Sequence, residues 1–221
     1  MMQRFEAIIF DLDGVLVDSE EFYYQRRKAF LKNYNLSIEQ IPIQFFIGAD
    51  MRSLWKTIFE VNDTIYDEAF LTEHYLKYKE EHPIDYSNLI EPDAKKVLQY
   101  LKRNGYKIGL ASSSTTAVIQ EVLKEGQFTS YFDIVVSGTQ FEKSKPNPEI
   151  YEYTASKLEV KPENCLVIED SEKGIRAAYD AKMSVWALKD LHFGMDQRLA
   201  DDSIATLSEV CKKLQLSEEV G

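Results

Sequence analysis

Cysteine is nearly absent from this chain, with Cys165 and Cys211 the only two. Cys165 opens an apolar run and reads as a buried thiol, and nothing in the pair suggests a disulfide framework or a zinc site. Positive charge is also scarce. Lys and Arg number 26 against 37 Asp and Glu, a formal net charge of −11, and no basic run occurs. Binding along a nucleic-acid backbone needs a Lys/Arg footprint, so that class of partner is excluded. Long apolar runs are missing too. The N-terminus offers one arginine, a very short apolar run and then two aspartates, which is neither a signal peptide nor a membrane span. The expectation is a cytoplasmic protein that engages no membrane. Repeats and low-complexity tracts do not occur, and nothing in the sequence reports an oligomeric state.

What is present is enough for a sizeable core. The 221 residues, 44% hydrophobic and 29% charged, allow one large domain or a domain with a smaller insert. The chain is organised around its first strand. Ala7 to Phe10 is a short apolar run suited to a strand buried on both faces. Asp11 and Asp13 follow, one residue apart, and in extended chain they project to the same side. Carboxylates that close repel, and one stays protonated unless a cation intervenes. Gly14 lets the backbone turn away tightly. The arrangement suits Mg²⁺ working on phosphate, because that hard cation takes oxygen ligands from few protein carboxylates and from the substrate.

Residues 18 to about 87 read almost entirely as helix, starting from Asp18 as N-cap with Glu21 completing a capping box. Leu54, Trp55, Ile58 and Phe59 recur at helical spacing, as do Phe70, Leu71, Tyr75 and Tyr78. This stretch holds 14 of the 27 aromatics, which is enough for a small core of its own. From Pro92 the pattern becomes alternating helix and strand. Helices are predicted over Ala94 to Leu101, Thr115 to Lys124, Pro148 to Leu158 and Glu172 to Ala181. Strands are predicted over 106–111, 133–136, 165–168 and 184–188, with a short strand near Ile204 and a final helix from Leu207. Such alternation makes an α/β, Rossmann-like parallel sheet with helices on both faces. The domain assignment is core over 1–17, an inserted all-helical cap over 18–87, and core again over 88–221.

In open α/β sheets, ligands bind at the carboxyl ends of the strands. Every notable polar cluster of the core falls there: Asp11 and Asp13, Ser112-Ser113-Ser114-Thr115, Lys145 before a helix, and Glu169-Asp170. Taken singly, the serines also fit ordinary helix capping and Glu169-Asp170 a cap and turn. Four clusters on one edge point to a site.

These segments resemble the haloacid dehalogenase superfamily, and within it the β-phosphoglucomutase-like phosphatase and mutase branch. Asp11-Leu12-Asp13-Gly14-Val15-Leu16-Val17-Asp18-Ser19 is similar to its first motif and Ala111-Ser112-Ser113 to its second. Lys143-Ser144-Lys145-Pro146-Asn147-Pro148-Glu149-Ile150-Tyr151 resembles the third, and Val167-Ile168-Glu169-Asp170-Ser171 the fourth. The resemblance implies a Mg²⁺-dependent phosphomonoester hydrolase of a small phosphorylated metabolite. In that pattern Asp11 is the nucleophile and Asp13 the acid and base, while Ser112, Ser113 and Lys145 bind the phosphoryl group. Asp11, Asp13 (through its backbone carbonyl), Glu169 and Asp170 form the metal site. Gly48, in Gly48-Ala49-Asp50-Met51-Arg52, is the cap's expected substrate contact, and the arginine there stands one position late. Relatives that are mutases carry a histidine roughly where this chain has Tyr23, so sugar-phosphate mutase activity is the alternative rather than the first expectation. A phospho-accepting receiver domain is a second alternative, opposed by the helical insert and by the motif spacing.

Overall fold

A computed structural model of the protein describes residues 5–47 and 51–219, apart from the side chains of Met51, Arg52 and residues 217–219. Its contacts divide it into two compact units, Ser19–Asp85 and the remainder of the chain.

The larger unit is a parallel sheet of six strands: β1 (Ala7–Phe10), β2 (Lys107–Ser112), β3 (Ile134–Ser137), β4 (Cys165–Glu169), β5 (Ser184–Leu188) and β6 (Asp202–Ile204). Their spatial order is β3-β2-β1-β4-β5-β6, and every pairing is parallel. The first strand in sequence therefore lies inside the sheet. Its four residues are fully buried, which explains why it reads as an unbroken apolar run rather than an alternating one. Alternation persists in what each residue meets. Ala7 and Ile9 share a core with Cys165 and Val167 and with Ile150, Ala155 and Leu158 of α6 (Glu149–Leu158). Ile8 and Phe10, one residue out of phase, face the other way. On the first face α6 covers β1 to β3, and α7 (Glu172–Asp180) covers β4 and β5. On the other, α4 (Ala94–Arg103) packs on β2 and on α8 (Ser208–Glu219). The buried face of α4, Ala94, Val97, Leu98 and Leu101, has the spacing the sequence predicts. A further helix of this unit, α5 (Thr116–Glu125), is entered through Thr115, whose hydroxyl accepts from Val118 N.

The smaller unit leaves and rejoins the larger through a neck. Val17 bridges Ile90 in antiparallel fashion. Asp18 N donates to Leu89 O at 2.8 Å, and Glu91 N to Leu16 O at 3.0 Å. Between these points lie α1 (Glu20–Lys32), a 3-10 turn at Ile43–Phe46, α2 (Met51–Val61) and α3 (Glu68–Glu81). The expected capping box at Asp18 does not form. The helix begins at Glu20 with Ser19 as N-cap, and Ser19 is already in the right-handed helical region, where its hydroxyl makes no cap bond. The expectation of almost continuous helix also fails beyond Lys32: the chain takes a left-handed residue at Asn35 and reaches Pro42 before its next helical turn.

Aromatic side chains fill the core of this unit. The ring of Phe30 has the rings of Tyr34 and Tyr75 at 5.0 Å, Tyr78 at 5.5 Å and Trp55 at 6.5 Å. The Trp55 indole N–H meets its need for a partner by donating to Thr72 Oγ1 at 2.7 Å. Phe30→Ala is expected to destabilise the unit by about 3–5 kcal/mol, because four surrounding rings cannot collapse into the space left. Urea unfolding followed by near-ultraviolet circular dichroism measures it.

Candidate active site

Asp11 continues the line of β1 by one residue, and its N–H still bonds to Ile168 O at 3.0 Å. The chain then coils tightly. Leu16 N donates to Leu12 O at 2.8 Å, and Gly14 N to Val17 O at 2.8 Å. Gly14 has φ +81°, and a Cβ there would stand 2.0 Å from Asp170 Oδ2. Only glycine lets this turn lie against the Asp170 carboxylate.

Lys145, in the loop between β3 and α6, is 6% exposed. Its ammonium is ringed by four oxygens: Asp11 Oδ1 at 2.6 Å, Glu169 Oε1 at 2.8 Å, Tyr151 OH at 2.9 Å and Ala111 O at 2.9 Å. Tyr151 donates its own hydrogen to Glu169 Oε1 at 2.9 Å, so its lone pair faces the lysine. Glu169 is fully buried, and both of its oxygens are engaged. Its Oε2 accepts from Asp170 N, Ser171 N and Ser171 Oγ, each at 3.0 Å. Helix α7 passes so close that a Cβ on Gly174 would collide with this carboxylate. Oxygens of Asp11, Glu169 and Asp170 lie within 4.8 Å of one another.

Burial pushes the Asp11 carboxyl up to about 7; Lys145 opposes the rise, and Glu169 and Asp13 add to it. Burial acts against the charged Lys145 as well, but Asp11 and then Glu169 outweigh it and raise the ammonium well above the ordinary lysine range. Glu169 goes the other way. Its burial is overcome by the charge and hydrogen bond of Lys145, by the Ser171 backbone and by Tyr151, which hold it below the usual carboxylate value.

The other expected residues are placed as follows. Asp13 directs Oδ2 at the hydroxyl of Ser114, 2.7 Å away at the end of β2. Ser112 is buried, and its Oγ accepts from Ser114 N at 3.0 Å. Ser113 is exposed. Gly48 lies outside the described residues. Three participants carry no assignment from the motifs: Tyr151, Ser114 and Gln197. Tyr151 stands on the buried face of α6 and passes for a core aromatic; the hint is that a buried phenol needs a polar partner. Ser114 is hidden among its neighbouring serines. Gln197 donates to the carbonyls of Asp170 and Leu188 at 2.6 and 2.8 Å, fastening the loop after β5 to the strand end. It lies beyond Lys189, where the sequence pattern is poor.

Residues 8–188 match the family model described as haloacid dehalogenase-like hydrolase. The chain belongs to that family. It is 31% identical to a phosphorylated carbohydrates phosphatase of Thermotoga maritima, over 80% of this chain and 81% of the relative. A β-phosphoglucomutase of Bacillus subtilis is 30% identical over 80% of each chain. Among solved structures, the β-phosphoglucomutase of Clostridium difficile superposes with a TM-score of 0.79 at 27% identity, covering 98% of this chain and all of that one. The haloacid dehalogenase-like chain described here is thus a hydrolase of the phosphatase type, as its four motifs lead one to expect. Among the described residues no helix is long and apolar enough to cross a membrane.

Removing Lys145 should expose the tension that it relieves. Lys145→Ala leaves Asp11 and Glu169 as buried carboxylates with no cation between them, a change expected to cost about 3–5 kcal/mol. The cost should be smaller at pH 5 than at pH 8, because protonating Asp11 removes the like-charge pair. Urea titrations in EDTA at the two pH values measure the difference.

Proposed function

We propose that the protein is a Mg²⁺-dependent phosphomonoester hydrolase of small phosphorylated metabolites, phosphorylated carbohydrates first among them, acting through an aspartyl-phosphate on Asp11. The observation that carries the reading is the setting of Asp11: on the end of the central strand, bonded to a buried lysine, with the Asp170 carboxylate beside it. The substrate class follows the Thermotoga relative.

The residues fit a hard divalent cation. The donors are all carboxylate oxygens, the set that Mg²⁺ prefers. Three carboxylates against one ammonium leave two negative charges, the charge of one such ion. Asp11 and Asp170 would hold it, while Glu169, with both oxygens already bonded, anchors Lys145 and the start of α7. Bound Mg²⁺ supplies positive charge opposite the phosphoryl oxygens and favours the ionised form of Asp11.

Asp11 then attacks phosphorus, and an Asp11–phosphorus bond forms as the ester oxygen leaves. Lys145 offsets the charge that gathers on nucleophile and phosphoryl group. Asp13 gives its proton to the departing alcohol, and afterwards takes one from the water that frees phosphate and restores Asp11. The Ser114 hydroxyl, which donates to Asp13 Oδ2, would steady that carboxyl for the proton transfer. Ser112 and Ser113, ahead of α5, are the phosphate's remaining contacts. The unit Ser19–Asp85 corresponds to the inserted cap that the sequence leads one to expect, and substrate selection is assigned to it.

Release of inorganic phosphate from a panel of phosphate esters, with and without EDTA, tests the reading directly. Asp11→Asn should abolish turnover while the protein stays folded. Asp13→Asn should lower it by about 10²–10⁴-fold, more for sugar alcohols than for a phenol that leaves unaided. Conversion of β-glucose 1-phosphate to glucose 6-phosphate faster than phosphate release would favour the mutase alternative, against which Tyr23 stands.

The cation should also be linked to pH. Without it, Asp11 in the folded protein keeps a proton up to about pH 7, whereas in the unfolded chain it loses that proton near 3.8. That contribution to stability is complete at low pH and lost as pH rises through about 7. Mg²⁺ competes with the same proton. Its affinity by calorimetry should therefore be level above pH 7 and fall by about tenfold per pH unit below it.

A further inference from the structure

In a protein of net charge −11, the smaller unit gathers three cations around one place. Arg26 and Arg27 are neighbours on α1, and Lys79 lies in the last turn of α3. None of the three belongs to any ion pair among the described residues. Arg26 is 8% exposed and donates through Nη1 to His82 O at 3.2 Å, with its guanidinium carbon over the rings of Phe22 and Tyr23. Arg27 lies over Phe46 at 5.0 Å and Tyr75 at 6.0 Å. Lys79 falls between Tyr75 and His82, four residues after one and three before the other, so it shares their face of α3. The residue that receives Arg27 and the residue that receives Arg26 thus bracket Lys79. Burial first, and then the charges of Arg26 and Arg27, hold its ammonium below the ordinary lysine value.

The contacts already present do not account for this gathering. Rings cover guanidinium faces, whereas the N–H groups lie in the guanidinium plane, and both Nε atoms are buried without a hydrogen-bond partner. The end of α3 offers the equivalent of about half a negative charge, against three positive ones. A buried donor left unmade is costly, and three cations drawn together repel. Both costs vanish if a small anion takes the place between them.

We propose that Arg26, Arg27 and Lys79 form a binding site for a compact oxyanion of the phosphate or phosphate-monoester class. Two in-plane guanidinium edges and an ammonium suit an oxyanion with two charges and several acceptor oxygens. The rings of Phe22, Tyr23, Phe46 and Tyr75 hold the guanidinium planes, so little side-chain freedom is lost on binding. The site lies wholly within Ser19–Asp85 and does not depend on the chemistry assigned to Asp11.

Titration of inorganic phosphate into the full-length protein in EDTA, followed at the arginine Nε–H resonances, tests the proposal without turnover. The Arg26 and Arg27 signals should shift saturably. Arg27→Gln and Lys79→Gln, both at half-buried positions, should each weaken the dissociation constant read at Arg26 by about tenfold. A sugar bisphosphate that moves these signals at lower concentration than phosphate assigns the site to a second anionic group of a substrate. Equal or weaker movement assigns it to a free oxyanion. Signals that stay fixed in the wild-type protein, or equal dissociation constants in wild type and variants, overturn the proposal.

Discussion

Lys145 reaches from the loop after β3 to the place where three strand ends converge, and its four short contacts join them. Asp11 follows β1, Ala111 belongs to β2, Glu169 closes β4, and Tyr151 brings in α6. Taking an ammonium and two carboxylates out of water costs several kcal/mol per ion, and only near-complete hydrogen bonding makes that tolerable. Here the bonding is near-complete on one side only. Glu169 has five donors around it; Asp11 has the lysine and little else. Burial lifts the Asp11 carboxyl to about 7 against the pull of Lys145, with the charges of Glu169 and Asp13 adding to the rise. The network is thus finished where it supports the fold and unfinished where chemistry is proposed to occur.

This division explains what could be read from the sequence. The first strand was legible because a parallel strand covered on both faces must be apolar throughout, so a sudden Asp11-Leu12-Asp13 stands out against Ala7–Phe10. The strand-helix alternation after Pro92 was legible for the same reason, and it puts the polar clusters on one edge of the sheet from the sequence pattern alone. Tyr151 was not legible. On α6 it occupies a core-facing position beside Ile150, Thr154 and Ala155, and its period matches theirs, so nothing marks its hydroxyl as part of a charge network. Gln197 was hidden for another reason. The loop after β5 is ordered by side-chain to backbone bonds, with Asp190 alone accepting from His192, Phe193 and Met195, and such bonds leave no periodic trace.

Fine boundaries depended on backbone details that composition does not record. Asp18 is a good capping residue, yet it is spent in the neck, where its N–H pairs with Leu89 O, and the helix waits until Glu20. Between Lys32 and Met51 the residue types permit helix, but a left-handed turn at Asn35 and the fixed geometry of Pro42 prevail. The aromatic wealth of this region was correctly a sign of core. Arg26 and Arg27 of α1 lie against aromatic rings of this unit, because a guanidinium can lay its face on rings while keeping its edges polar.

The neck has an evolutionary meaning of its own. Leu16 to Asp18 and Leu89 to Glu91 are joined by main-chain hydrogen bonds and a main-chain bridge, bonds that do not depend on which side chains the inserted unit carries. Closing a loop grows costlier only with the logarithm of its length, about 0.6 kcal/mol for each doubling. A gate held shut by main chain can therefore accept inserts of different size and ancestry, and a lineage could exchange one for another without disturbing Asp11 or Lys145. Substrate range and reaction chemistry would then diverge on separate clocks within a single polypeptide.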